Sequence, residues 1–83
     1  MTYTVRFFAS IREAVGVGSE SVASQATTVG QLRDELIARG GIWAEALARG
    51  RAVRASVNQV MASEDTPLPT GAEVAFFPPV TGG

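Results

Sequence analysis

The 83-residue sequence contains no cysteine and no histidine, and all seven of its basic residues are arginine. The first two absences exclude disulfides, zinc or iron–sulfur ligation through these residues, thiol nucleophiles and imidazole acid–base catalysis. Because lysine is absent as well, Schiff-base chemistry on the chain is excluded. The groups left for chemistry are carboxylates, hydroxyls and the chain ends.

The charge balance and the apolar segments narrow the class of protein further. The formal net charge is −1, with both signs spread along the chain, which argues against a nucleic-acid or anionic-membrane partner. No apolar run approaches the ~20 residues of a membrane span, and no charged leader precedes an apolar segment. We therefore expect a cytoplasmic protein with one modest core.

Alternation of apolar and polar residues predicts strands at both ends of the chain. In "TYTVRFF" the pattern places Phe7 on the buried face and Phe8 on the polar face. The glycines of "VGVG" indicate a turn into a weaker strand at 21–23, so we predict a hairpin. In "EVAFF", residues 73–77, Val74 and Phe76 share one face, and Phe77 lies on the other.

A helix is predicted between these strands. Thr28 and Gln31 fit a capping box, and Leu32 and Leu36 recur at helical spacing before Gly40-Gly41 ends the helix. A short helical turn follows at 42–48. The stretch at 53–57 then alternates like a strand, and Asn58 is expected to serve as a turn residue, tolerating positive φ, before a short fourth strand.

The resulting order is β-β-α-β-β-β, an α+β fold. We expect one domain over residues 1–79, with a mixed sheet of four to five strands packed on one main helix and a short helical segment. Pro78 and Pro79 lack amide donors and fix φ, so they stop the sheet and keep the chain extended.

Residues 80–83 are predicted to form a flexible tail that ends in Gly82-Gly83. Four extended residues reach at most ~13 Å beyond Pro79, at ~3.3 Å each. Two glycines would let a terminal carboxylate pass through a channel too narrow for any Cβ. The alternative is that the glycines are only a frayed end or a remnant of cloning.

Three stretches, "VRFFASIREAVG", "VNQ" and above all "EVAFFPPVTGG", resemble the molybdopterin synthase small-subunit family, MoaD-like sulfur carriers with the ubiquitin-like β-grasp fold. The resemblance implies that an ATP-dependent enzyme adenylates the Gly83 carboxylate and that a sulfur donor then converts it to a thiocarboxylate. The tail, with Gly82 beside the reacting group, would give its sulfur to a cyclic pterin precursor and so build the molybdopterin dithiolene.

The same resemblance implies the partners and the contact residues. Catalysis is expected from a large synthase subunit, in a heterotetramer of two small and two large subunits, and activation from an E1-like enzyme and a sulfur donor protein. No tightly bound cofactor is expected, since ATP is used by the activating enzyme, and no metal site. Because the first and last β-grasp strands are neighbours, Phe8 and Phe77 are expected to share an exposed surface. The full set of predicted partner contacts is Phe8, Arg12, Met61, Phe77, Pro78, Pro79, Val80 and Thr81.

Three other functions remain open. The chain is also compatible with a sulfur carrier for thiamin or tRNA thiolation, which shares the chemistry but not the acceptor. It is compatible with a ubiquitin-like modifier whose Gly83 forms isopeptide bonds, and with an interaction module whose tail is inert. The "FFPPV" and "REAVG" strings favour the molybdopterin family.

Overall fold

The computed structural model describes residues 1–79, and this part of the chain forms a five-stranded mixed sheet with three helices. The elements are β1 (Thr2–Phe7), α1 (Ala9–Val15), β2 (Ser19–Ala23), α2 (Val29–Ile37), α3 (Gly41–Ala46), β3 (Arg54–Val57), β4 (Val60–Ala62) and β5 (Glu73–Phe77). The strand order is β2-β1-β5-β3-β4, with β1 and β5 parallel and the other neighbours antiparallel. The predicted α+β fold is confirmed.

The predicted antiparallel pairing of the first two strands is confirmed, but the short turn predicted between them is wrong. β1 and β2 do pair antiparallel, but α1 connects them, and β2 begins at Ser19, two residues earlier than predicted. Ile11 is buried and Val15 packs on the core, so tertiary contacts stabilise a helix too short to form alone. Gly16 ends the helix with a φ of 82°, and its N–H donates to the carbonyl of Arg12.

The cap predicted for the main helix is present in part. The backbone N–H of Gln31 donates to Thr28 Oγ1 over 3.3 Å, as in a capping box. The return bond goes to the preceding residue, because Gln31 Oε1 accepts from the N–H of Thr27 at 2.8 Å. The helix ends at Ile37, before the glycine pair, and Gly40 with a φ of 75° leads into α3.

The core lies between the sheet and the helices. The inward residues of the two central strands are at most 1% exposed, and they are Tyr3, Val5, Phe7, Val74 and Phe76. The Phe7 ring meets Trp43 of α3 edge-on at 5.3 Å and stacks on Phe76 at 6.4 Å. None of the helices within residues 1–79 is long and apolar enough to cross a bilayer.

A buried arginine joins α2 to the connection between α3 and β3. Arg33 is 4% exposed, and its guanidinium donates to the carbonyls of Leu47 (2.8 Å) and Ala48 (2.7 Å) and to Glu64 Oε2 (3.1 Å). Burial, and after it the positive charge of Arg49, lowers the pKa of Arg33 from its ordinary value. These bonds fix the segment from which β3 starts.

Candidate protein-docking site

The two central strands bring the predicted aromatic pair to one edge of the sheet. β1 and β5 run parallel, and their register pairs Phe7 with Phe76. The N–H of Phe8 continues the ladder by donating to the carbonyl of Phe76 over 3.2 Å. Phe8 and Phe77 therefore leave the sheet on adjacent strands, at the edge where the chain continues to Pro78.

Phe8 points away from the core even though it lies just beyond β1. Its backbone is extended, with φ −128° and ψ 156°, so the alternation of β1 continues through it. Its side chain is 37% exposed, and the Arg6 guanidinium carbon lies 5.1 Å from its ring centroid. Residues two apart on a strand share a face, so Arg6 and Phe8 both lie on the side of the sheet opposite the helices. We call this side the open face.

Phe77 lies half-buried on the open face, in register with Arg54 of β3. Two residues earlier on the same face, Ala75 is 7% exposed although no helix covers it. Its register neighbours are Arg6 on one side and Ser56 on the other, and their longer side chains shield it. The open face thus has a small-residue centre with larger side chains around it.

Met61 belongs to the same face, farther from the tail. It is in register with Ser56, and its side chain is 60% exposed. The turn before β4 places Asn58 at φ 49° and Gln59 at φ 70°, the left-handed pair typical of a two-residue hairpin. Asn58 Oδ1 also accepts from the N–H of Glu73 at 2.9 Å, so this residue has the structural role expected of it.

Arg12 lies on α1, at the same edge of the sheet as the aromatic pair. Its guanidinium packs over Gly18, where an added Cβ would lie 3.2 Å from Arg12 Cζ and Nε. Gly18 also accepts a hydrogen bond from the N–H of Phe7, which anchors this edge. Arg12 is exposed, and it makes no ion pair within residues 1–79.

Pro78 and Pro79 are half-buried at the margins of two clefts on the helix side. Pro78 borders a cleft of about 350 Å³ between α1 and α3, and Pro79 borders one of about 520 Å³ beside α2 and β3. Both prolines are therefore partly covered by their own domain. The predicted tail contacts at Val80 and Thr81, and the reacting residues Gly82 and Gly83, lie outside the described residues.

The geometry can now be set beside known proteins. The model of the ThiS family matches residues 5–83. The chain belongs to the ThiS family. The molybdopterin synthase sulfur carrier subunit of Escherichia coli (strain K12) is 51% identical to it over 79 residues, which cover 95% of this chain and 96% of the relative.

Solved structures with ubiquitin-like β-grasp folds resemble this member of the ThiS family along its whole length. One is the complex of subunits 1 and 2 of molybdopterin-converting factor from Helicobacter pylori 26695, with a TM-score of 0.67, 27% identity and coverage of 100% of both chains. Another is SAMP1, small archaeal modifier protein 1, from Haloferax volcanii. It has a TM-score of 0.76 and 26% identity, also over 100% of both chains.

Two arginines beside the aromatic pair were not among the predicted site residues. The sequence pattern places Arg6 and Arg54 only on the polar faces of their strands. Arg6 and Phe8 are two residues apart on one strand, so the sequence alone indicates that Arg6 is a neighbour of Phe8 on the same face. The approach of Arg54 to Phe77 depends on the β3–β5 register, which joins residues 23 positions apart and has no local signal.

Proposed function

We propose that this protein is the sulfur-carrier small subunit of a molybdopterin synthase. The observation that carries the proposal is its likeness, along nearly the whole chain, to the Escherichia coli sulfur carrier subunit. The geometry supports it, because the exposed Phe8 and the half-buried Phe77 lie together at the edge of the sheet from which the C-terminal segment leaves. A partner that binds this edge also receives the tail.

On this proposal the working group is the carboxylate of Gly83. A carboxylate is a poor electrophile, so an E1-like enzyme first joins it to the α-phosphate of ATP, releasing pyrophosphate and forming an acyl-adenylate. A sulfur donor then displaces AMP and leaves a thiocarboxylate. In the large subunit this sulfur passes to a cyclic pterin precursor, and two such transfers complete the dithiolene. The small subunit supplies sulfur, and the large subunit supplies the acid–base groups that this chain lacks.

The open face supplies the docking surface for this chemistry. Phe8, Phe77 and Met61 offer apolar area, and each aromatic contributes part of the roughly 1.5–3 kcal/mol of full burial when a partner covers it, because Phe8 is 37% exposed and Phe77 is half-buried in the free protein. Arg12 and the two prolines extend the contact along the edge. The activating enzyme and the large subunit must both accept the same tail, so they bind this face in turn and exclude one another. The complete synthase is proposed to hold two small and two large subunits, with no cofactor tightly bound to the small one.

The decisive experiment is the intact mass of the full chain after incubation with ATP, the E1-like enzyme and a sulfide source. The expected product has gained the mass difference of one sulfur replacing one oxygen, located on Gly83 by fragmentation. A variant lacking Gly83 is expected to keep its fold by circular dichroism and to remain unmodified. Normal sulfur loading of that variant would reject the proposed mechanism.

A second candidate function is protein modification, favoured by the likeness to SAMP1. In that case the activated Gly83 would form an isopeptide bond with a lysine of a target protein. Expression of the tagged chain in its native cell distinguishes the two functions. Conjugates that survive denaturation and depend on Gly83 would support modification, whereas a thiocarboxylated free chain without conjugates would support sulfur transfer.

A further inference from the structure

The strand registers define which charged residues lie on the open face within residues 1–79. The outward positions of β2 and β4 carry no charge, and they are Ser19, Ser21, Ala23 and Met61. Three charged residues occupy the outward positions of the other three strands: Arg6 on β1, Arg54 on β3 and Glu73 on β5. The face is therefore mostly neutral, with two positive charges and one negative charge.

These charges are separated along the sheet. Arg54 is in register with Phe77, and Arg6 is in register with Ala75, so both arginines lie toward the tail end of the face. Glu73 begins β5, four residues before Phe77, which is roughly 13 Å at about 3.3 Å per residue. The region around the aromatic pair is thus positively charged, although the net charge of the whole chain is −1.

The two arginines of the open face have no carboxylate partner among residues 1–79. The ion pairs in this part of the chain are made by Arg33, Arg39 and Arg49, on the helix side of the molecule. Arg6 instead lies over the ring of Phe8, at 5.1 Å from its centroid. A partner that covers Phe8 must therefore remove water from the Arg6 guanidinium as well.

Removing water from a guanidinium is unfavourable unless a charged or polar group replaces it. The same cost applies to Arg54, because a partner that covers Phe77 also covers Arg54, which lies directly across the ladder from it. A purely apolar partner surface would bury both aromatic rings at the cost of two unpaired charges. A surface with carboxylates beside its apolar centre would bury the rings and pair the charges, and arginine forms such pairs with bidentate geometry.

We propose that the large-subunit surface that docks on Phe8 and Phe77 carries carboxylate side chains that pair with Arg6 and Arg54. This inference rests on the proposed function, which requires a protein partner on the open face. The two arginines then act as specificity determinants: they orient the partner around the aromatic pair and accelerate its encounter. Paired charges at an interface raise the association rate and make it dependent on salt.

The test measures binding of the full chain to the large subunit of its synthase, by surface plasmon resonance at low and high salt. The variants are Arg6→Gln and Arg54→Gln, alone and together, and the charge reversals Arg6→Glu and Arg54→Glu. Arg39→Gln is the matched control, because it makes the same change in net charge on the helix side, where Arg39 pairs with Glu20. Melting curves check that each variant is folded.

Each neutral substitution is expected to weaken binding by roughly 3- to 10-fold at low salt, mainly through a slower association rate, and each reversal by more. The difference between wild type and the double variant should shrink at high salt because ions screen the pairs. Arg39→Gln should bind like wild type. Tight wild-type binding that is insensitive to salt and to all four face substitutions would overturn the inference and leave the proposed function standing.

Two other results would also decide against it. Failure of the wild-type chain to bind the large subunit at any salt concentration would overturn both the proposed function and the inference. Binding of the wild type to anionic phospholipid vesicles or to a single-stranded oligonucleotide, lost in the double variant, would assign the arginines to another class of partner and reject carboxylate pairing.

Discussion

Replacement of Phe77 by alanine separates docking from folding, because β5 carries a matched control at the adjacent position. Phe76 and Phe77 have the same side chain but face opposite sides of the sheet. Phe76 is 0% exposed and stacks on Phe7 at 6.4 Å, whereas Phe77 is half-buried on the open face. The two truncations should therefore affect different measurements.

The sizes of the effects follow from burial. Truncation of a fully buried phenylalanine costs about 3–5 kcal/mol, so Phe76→Ala should lower the free energy of unfolding by that amount. In a domain of this size each kcal/mol corresponds to about 4–8 °C in Tm, so a fall of more than about 12 °C is expected. Phe77 already has part of its surface in water, so its truncation should cost about half of the 1.5–3 kcal/mol of full burial.

Partner binding should show the opposite order, with the larger loss of affinity for Phe77→Ala. Phe77→Ala should weaken the complexes with the large subunit and with the proposed activating enzyme by more than about 1 kcal/mol each, a loss of at least about fivefold in Kd. Urea denaturation and isothermal titration calorimetry on one preparation give both quantities. If Phe76→Ala does not fold, Phe76→Leu supplies the core comparison. A stability loss above about 3 kcal/mol for Phe77→Ala with unchanged Kd values would refute the docking assignment.

Three further predictions concern the fold. Arg33→Ala should lower the free energy of unfolding by about 2 kcal/mol or more, because it leaves the carbonyls of Leu47 and Ala48 without their buried donor, while the exposed Glu64 keeps its ion pair with Arg49. Arg49→Ala at the surface should cost about 1 kcal/mol or less, and chemical denaturation compares the two variants. The hydrogen bond from Arg39 lowers the pKa of Glu20, so this pair stabilises the fold above the ordinary glutamate pKa of the unfolded chain and loses its effect as the pH falls through the lower folded value. The stability difference between wild type and Glu20→Gln should therefore vanish in acid. Thr28→Ala should cost about 1 kcal/mol, measured as a lower Tm, through loss of the helix cap.

Patterns along the chain predict the strands and α2 well because their signals are local. Val74 and Phe76 alternate with Phe77, and Leu32 and Leu36 follow the helical period, so the buried face of each element can be predicted from its own residues. α1 gives a much weaker signal. Its N-cap residue is Phe8, whose side chain accepts no hydrogen bond, and Ala9 enters the helix with a φ of 51°, in the left-handed region. The packing of Ile11 stabilises this helix, and the sequence around it carries no start signal.

Some features of the candidate site can likewise be predicted from local patterns, and others cannot. The outward direction of Phe8 and Phe77 can be predicted from the parity of each strand. Their adjacency depends on parallel pairing between β1 and β5, which are separated by most of the chain, and only the family resemblance predicts it. Arg54 enters the site through a second nonlocal register, with Phe77. Sequence periodicity describes faces, whereas the neighbours across a face are fixed by the order of the strands.

The absence of lysine and cysteine acquires a chemical meaning once Gly83 is proposed to form an acyl-adenylate. Such a group reacts with amines and thiols, and the sequence offers no amine or thiol side chain. The amine of Met1 donates to the carbonyl of Ser24 at 3.0 Å, at the start of β1. Since β1 and β5 are parallel, that amine lies at the opposite end of the sheet from Phe8, about seven residues or roughly 23 Å away. Four extended residues past Pro79 reach only ~13 Å, so the Gly83 carbonyl is not expected to reach the amine. We therefore expect adenylated protein kept without a sulfur source to hydrolyse to the free carboxylate. An internally cyclised product, seen as loss of one water in the intact mass, would contradict this argument.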